Sequence, residues 1–415
     1  MTKALEGLRI VEVAAFIAAP LAGLQFAQLG ADVIRIDPLV PGPGGRGSVA
    51  GSLDKNRWPV TKEGRSLYWA GLNKGKRSIL IDTRSEQGRE LAARLITAPG
   101  EDAGILLTNL QAKGRLGFEA LKQRRADLIV MHVVGNRDGS VALDYTVNAA
   151  AGFPLVTGPE NHDGPVNHVM PVWDVVAAYA AVNALMAAER HRRLHGEGQY
   201  VRLALADVAF STLSHLGYIA EAQVNNDERP RLGNHVYGSF AHDFPTCDGR
   251  RVIVTAFTPR HWQALVEATA TKETIEALAH KHGFDFAREE DRFAAREDIV
   301  TIFAPWFASK TLGEARDALD AAGACWGPYQ TFAQALREDR RLSEDNPMFS
   351  LLVQPGIGKI LSAGTLADFG AFERTPAAAA PRFGEHTEQI LADDLGLPSH
   401  EIAALFDAKI VAGAT

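Results

Sequence analysis

The stretch V-N-H-V-M-P-V-W-D-V-V-A-A-Y-A-A-V-N-A-L-M-A-A-E-R-H-R-R-L-H-G-E-G, residues 166–198, places one carboxylate, Asp174, where an extended apolar segment turns into a helical pattern. From there Val175, Ala178, Tyr179, Val182, Leu185 and Met186 recur at helical spacing, and a basic last turn, Arg190 to Arg193, leads to Gly196. The spacing predicts a long helix with Asp174 as its N-cap. A carboxylate there meets unpaired backbone N–H groups and the positive end of the helix dipole, which keep it ionised. The side chain then either caps the helix and no more, or is aimed outward as a nucleophile. A second set of reactive types lies in L-N-K-G-K-R-S-I-L-I-D, residues 72–82. Lys74, Lys76 and Arg77 surround a glycine just before a strand pattern, where basic side chains meet phosphates or simply face solvent.

The elements that must position these groups read as βαβ units. Apolar β-rich runs recur at residues 8–13, 32–37, 78–82, 104–109 and 127–134, separated by helical patterns such as 20–29 and 86–97. This predicts an α/β fold with a Rossmann-like, mostly parallel sheet and ligand crevices at the strand carboxyl ends. Residues 14–19, after the first strand, are A-A-F-I-A-A rather than a G-x-G-x-x-G turn, which argues against a dinucleotide site. The polar, turn-rich E-A-Q-V-N-N-D-E-R-P-R-L-G-N reads as a linker. We therefore expect a first large domain over residues 1–225, a smaller α+β domain over 226–330, and a segment 331–415 that returns to complete the first. The run R-E-E-D-R-F-A-A-R-E-D reads as a solvated helix face.

At 415 residues with 46% hydrophobic side chains, the chain can bury the cores of two domains. A net charge of −7 offers no global attraction for nucleic acid or an anionic membrane, so neither is an expected partner. Two cysteines, Cys247 and Cys325, without a Cys-x-x-Cys, suit a reducing cytoplasm and no disulfide framework or zinc ribbon. The N-terminal M-T-K-A-L-E-G lacks an apolar signal core, and no run of eighteen apolar residues predicts a membrane span.

Five segments together are more specific than any of these motifs: L-E-G-L-R-I-V-E-V followed by A-P-L-A-G-L-Q-F-A-Q-L-G-A-D-V-I-R-I-D; N-K-G-K-R-S-I-L-I-D; T-N-L with G-R-L-G-F; W-D-V-V-A-A-Y-A-A; and H-G-E-G-Q-Y-V-R-L-A-L-A-D-V-A-F. In order and spacing the chain resembles the class III, formyl-CoA transferase type, CoA-transferases over nearly its whole length. The resemblance implies two chains interlocked as a homodimer, and a covalent aspartyl-CoA thioester on Asp174. It implies no metal and no cofactor, because CoA enters as the thioester of a small dicarboxylic acid. Phe16, Ile17, Ala18, Lys76, Asn109, Leu110 and Arg115 fall on family positions that line the CoA path. Arg137 and His168 are expected near the substrate's free carboxylate, unless Arg137 pairs with Asp138 or Asp144. Tyr237 is also expected at the substrate. It lies in R-L-G-N-H-V-Y-G-S-F, residues 231–240, where formyl-CoA transferase has a run of glycines, so a bulkier lid is implied.

Further local segments, among them P-V-T-K-E-G-R-S-L-Y-W-A and D-N-P-M-F, resemble those members that move CoA from one carboxyl of mesaconate to the other within one molecule. Three other readings compete. An intermolecular dicarboxylate transferase would use the same aspartate. An acyl-CoA racemase needs an acid/base pair, and the G-N-R-D segment offers no histidine for one, with His132 inside a predicted strand. A nucleotide-dependent dehydrogenase lacks its glycine fingerprint.

Overall fold

The computed structural model describes residues 3–42, 48–111 and 113–414, which separate into two compact units. The larger comprises Met1–Ala151, Val169–Ala220 and Arg340–Thr415, the smaller Gly152–His168 and Glu221–Asp339.

The larger unit opens with β1 (Arg9–Val13), α1 (Ala18–Gln28), β2 (Asp32–Pro41) and β3 (Ser48–Ala50). It continues through α2 (Leu67–Leu72), β4 (Arg77–Ile81), α3 (Glu86–Ile96), β5 (Ile105–Thr108), α4 (Phe118–Arg124), β6 (Ile129–Val134) and α5 (Asp144–Ala150). The short α6 (Phe153–Val156) belongs to the smaller unit, after which α7 (Val172–His195), β7 (Tyr200–Ala204) and α8 (Leu205–His215) return to the larger.

β1 pairs in parallel with both β2 and β5, and parallel pairing continues from β2 to β4 and from β5 through β6 to β7. Every residue of β5 is buried, as expected of a parallel strand covered on both faces. On one face Val11, Ile34, Ile79, Leu106 and Val130 pack with Leu91 and Leu95 of α3. The alternate residues point to the other face, where α1 and α7 pack together. Small side chains make that packing close. Ala18, Ala19 and Ala22 of α1 are buried, as are Trp173, Ala177, Ala181, Leu185 and Ala188 of α7. α7 has the length and mean hydropathy of a membrane span, yet this stripe is spent on packing inside the unit. The expected stripe is thereby corrected: Tyr179 is exposed, and Val175, Val182 and Met186 are only partly buried.

In the smaller unit β8 (Phe240–Pro245), β9 (Arg251–Ala256) and β10 (Cys325–Pro328) form an antiparallel sheet in the order β10-β9-β8. Its core is aromatic, with Phe244 stacked on Phe307 at 4.4 Å between ring centroids. Residues 152–168, read from sequence as part of the first domain, belong here instead. The Arg231 guanidinium explains it, donating to the carbonyls of His162 at 2.7 Å and Gly164 at 2.6 Å.

The chain then returns to the larger unit through the hairpin β11 (Phe349–Gln354) and β12 (Gly358–Ala363), and β13 (Val411–Ala412) closes antiparallel onto β4. Asp394 fixes the return by accepting from Arg77 at 2.7 Å and pairing with Arg9 at 2.8 Å.

Candidate active site

The sheet order, β13-β4-β2-β1-β5-β6-β7, reverses direction between β1 and β5, so the crevice at their carboxyl ends is the default ligand position of an open α/β sheet. The turn after β1 is held there from several sides. Asn109, just past β5, accepts from the Ala15 N–H at 3.0 Å and donates to the Ala15 carbonyl at 2.7 Å. Phe16 sits in the left-handed region at φ 65°, a costly conformation for a side chain with a Cβ. Its N–H donates to Asp54 Oδ2 at 2.8 Å, and the Arg57 guanidinium lies 4.6 Å from its ring centroid. Ala18 is buried, while Phe16 and Ile17 are partly exposed.

Below this turn lies a buried charge network. Glu12 of β1 and Arg35 of β2 are in register, and Arg35 donates to Glu12 at 2.8 Å and to both oxygens of Asp37 at 3.1 Å. Lys76 completes it. Its ammonium donates to Glu12 at 2.8 and 3.1 Å, to the Pro20 carbonyl at 2.8 Å and to Asn73 at 2.9 Å. Burial pushes the ammonium down to about 8, and Glu12 opposes that shift. With 3% exposure and every ammonium proton engaged, Lys76 presents no cation to a phosphate in this structure. It is a counter-charge in this structure: the buried Glu12 carboxylate requires one, and Lys76 provides it. Gly23 is required at the same place, since a Cβ there would fall 1.9 Å from Glu12 Oε2.

At the start of α7 the expected cap is also revised. Pro171 occupies the N-cap and Asp174 lies in the first turn. The capping acceptor comes from elsewhere: Asp144 Oδ2 accepts from the Trp173 N–H at 2.7 Å and the Asp174 N–H at 3.0 Å. Trp173 is fixed further by its indole N–H, which donates to Asn148 at 3.1 Å. Burial, and secondarily the Asp144 charge, push the Asp174 carboxyl up to about 7. The sequence expectation of a carboxyl held ionised by the helix dipole is thus reversed: burial outweighs the dipole, and the first N–H donors of the helix bond Asp144 instead. A carboxyl poised near neutrality, free of hydrogen bonds among the described residues, can attack an electrophilic carbonyl once ionised. The Tyr68 phenol is raised chiefly by burial, then by the Asp54 and Asp174 charges, which puts it in range of both Asp174 and the Phe16 turn.

The remaining predicted residues divide between the two units. Leu110 lines a cavity of about 340 Å³ with Thr108, Leu116, Phe118, His132 and Tyr200. The Arg115 guanidinium is occupied by Glu86 and Glu90, both at 2.8 Å. Arg137 pairs with Asp207 at 2.6 Å rather than with Asp138 or Asp144. His168 and Tyr237 belong to the smaller unit, where the Tyr237 ring lies 4.4 Å from the Arg229 guanidinium. Sequence reading missed Asp144, Tyr68 and the Glu12–Arg35 pair. Only the last left a local signal, two charges set inside otherwise apolar strands.

A family model described as CoA-transferase family III matches residues 5–387. The chain belongs to CoA-transferase family III. It is 49% identical over 410 residues to 2-methylfumaryl-CoA isomerase of Chloroflexus aurantiacus, covering 99% of this chain and 98% of that protein. It is 28% identical to succinyl-CoA:mesaconate CoA-transferase of Haloarcula hispanica, covering 95% of this chain and 97% of that one. Among solved structures, a CaiB/BaiF family protein from Brucella suis superposes with a TM-score of 0.75 at 23% identity, covering 95% of this chain and all of that one, which shows a shared fold.

Proposed function

We propose that this family III enzyme moves CoA between the two carboxyl groups of mesaconate within one molecule, converting 2-methylfumaryl-CoA to 3-methylfumaryl-CoA, with Asp174 as nucleophile. The observation that carries the reading is the 49% identity, over essentially the full length of both chains, to a 2-methylfumaryl-CoA isomerase. The chemistry balances without a redox partner or ATP. An Asp174 oxygen attacks the thioester carbonyl, the C–S bond breaks, and CoA thiolate leaves behind a mixed anhydride. The thiolate then attacks the Asp174 carbonyl and expels the mesaconate carboxylate, giving an aspartyl-CoA thioester. Mesaconate turns, its other carboxylate attacks that thioester, and the same two steps run in reverse to free Asp174. Retention of the freed acid in the site would hold it at high effective concentration during the turn.

A second reading, transfer to a separate dicarboxylic acid, is favoured by the 28% identity to a succinyl-CoA:mesaconate CoA-transferase. Both readings share the covalent step and both take the CoA thioester of a dicarboxylic acid as substrate. We assign the chain to the cytoplasm, where its two exposed free cysteines, Cys247 and Cys325, stay reduced. A homodimer fits the apolar surface around α8, where Phe210 and Leu216 are 43% and 56% exposed. The test of the nucleophile is hydroxylamine trapping with mesaconyl-CoA. Wild-type enzyme should yield a hydroxamate at residue 174, and Asp174→Ala should yield none and lose turnover while still binding the ester. Near-normal turnover in Asp174→Ala would refute the assignment.

A further inference from the structure

The first N–H groups of α7 can be accounted for one by one. Val172 donates to the Met170 carbonyl at 2.8 Å, Trp173 and Asp174 donate to Asp144 Oδ2 at 2.7 and 3.0 Å, and Val175 makes the first intrahelical bond, to Pro171 at 3.1 Å. None remains for the Asp174 side chain. An aspartate in a first helical turn ordinarily leans back onto such donors, which lowers its reactivity along with its energy. Here a residue thirty positions earlier occupies them. Asp144 is itself 3% exposed, and its second oxygen, Oδ1, is buried without a hydrogen-bond partner among the described residues. That arrangement is costly, because a buried carboxylate oxygen forgoes its water.

We propose that Asp144 is the positioning residue of the nucleophile: it takes the donors at the start of α7, leaving the Asp174 carboxylate unbonded, and its fixed charge disfavours free Asp174 relative to acylated Asp174. The inference rests on the reading of Asp174 as nucleophile. In the free enzyme Asp144 and Asp174 are two carboxylates in one buried neighbourhood. In the anhydride and the aspartyl-CoA thioester the charge at Asp174 is gone, having left first with CoA thiolate and then with the mesaconate carboxylate. Only the free state carries the repulsion, so each acylation relieves it. The same repulsion adds to burial in pushing the Asp174 carboxyl up to about 7. Among the described residues Tyr68 of α2 is also within electrostatic range of Asp174, and Tyr68 in turn is acted on by Asp54, Arg57 and Tyr145.

The test compares wild type with Asp144→Asn, which keeps an oxygen acceptor for the two N–H groups and removes the charge. The readouts are the pH profile of kcat/KM and the share of enzyme trapped by hydroxylamine at equilibrium with mesaconyl-CoA. The acid limb of Asp144→Asn should move to lower pH by about one unit, the low end for loss of a neighbouring like charge. The trapped share, read as the ratio of acylated to free enzyme, should fall about tenfold, which is what one unit represents. Asp144→Ser, a neutral hydroxyl acceptor, should behave the same way. A merely structural residue would lower thermal stability without moving the limb. If wild type forms the hydroxamate and the limb of either neutral variant coincides with wild type, the positioning role is overturned and the nucleophile stands. If wild type forms no hydroxamate, the nucleophile reading falls and takes this inference with it. If neither neutral variant folds, Asp144 is a folding element and the inference is likewise overturned.

Discussion

Replacing Lys76 by methionine separates two roles for that residue, because a phosphate ligand and a buried counter-charge fail in different ways. The ammonium makes four hydrogen bonds, two of them to Glu12, and both side chains are sealed from solvent. Removing one partner of a buried ion pair costs about 3–5 kcal/mol, chiefly because the other charge is left desolvated. Arg35 still donates to Glu12 at 2.8 Å, which places the expected loss at the low end, about 3 kcal/mol. For a unit of this size that is a fall in Tm of roughly 6–12 °C. Thermal unfolding followed by circular dichroism measures it, and KM is then compared for CoA, dephospho-CoA and pantetheine esters below the transition. Any rise in KM should be similar for all three, since the damage acts through the turn that Glu12 underlies. An unchanged Tm with a KM rise confined to the phosphate-bearing esters would refute the structural role and restore the phosphate contact.

Asp174→Asn should stabilise the protein more at pH 8 than at pH 5. The folded carboxyl ionises near 7 against an ordinary 3.8, so the folded state binds the extra proton and stability falls as pH rises between those values. The full shift corresponds to roughly 4 kcal/mol, and partial solvent access reduces the gain to about 1–3 kcal/mol at pH 8. Equal gains at both pH values would contradict the raised ionisation. Gly23→Ala should lose more stability than Ala22→Gly by thermal unfolding, because its Cβ meets Glu12 Oε2 at 1.9 Å; equal losses would contradict that close approach.

The sheet of the larger unit was legible because buried parallel strands leave continuous apolar runs. The runs at 8–13 and 127–134 correspond to Arg9–Val13 and Ile129–Val134. Helix 86–97 was equally plain, and Ser85 caps it by accepting from the Gly88 N–H at 2.9 Å. The buried stripe of α7 was misjudged because alanine against alanine carries little hydrophobic contrast, and only the small residues of α1 explain why that side faces inward. Arg231 gathers residues 154–164 into the smaller unit across about 70 positions, a distance no local pattern reports. The same holds at the site. From its position alone Asp174 reads as a helix cap, and only the family resemblance set it apart; the residue that does the capping lies thirty positions upstream, where an acidic residue at 144 looks like any other helix start. The burial of Lys76 was not legible, because a lysine beside a glycine reads as exposed unless its buried carboxylate partner is known.

The central claim is that CoA waits on Asp174 while the freed mesaconate stays bound and turns. Enzyme supplied with unlabelled mesaconyl-CoA and isotopically labelled free mesaconate tests this most directly, with the C1 and C4 isomers and their label followed together. The account predicts isomer interconversion with little label entering the ester pool, because the retained acid outcompetes free acid by its effective concentration. Label entering as fast as the isomers interconvert would contradict it and make the enzyme an ordinary two-substrate CoA-transferase.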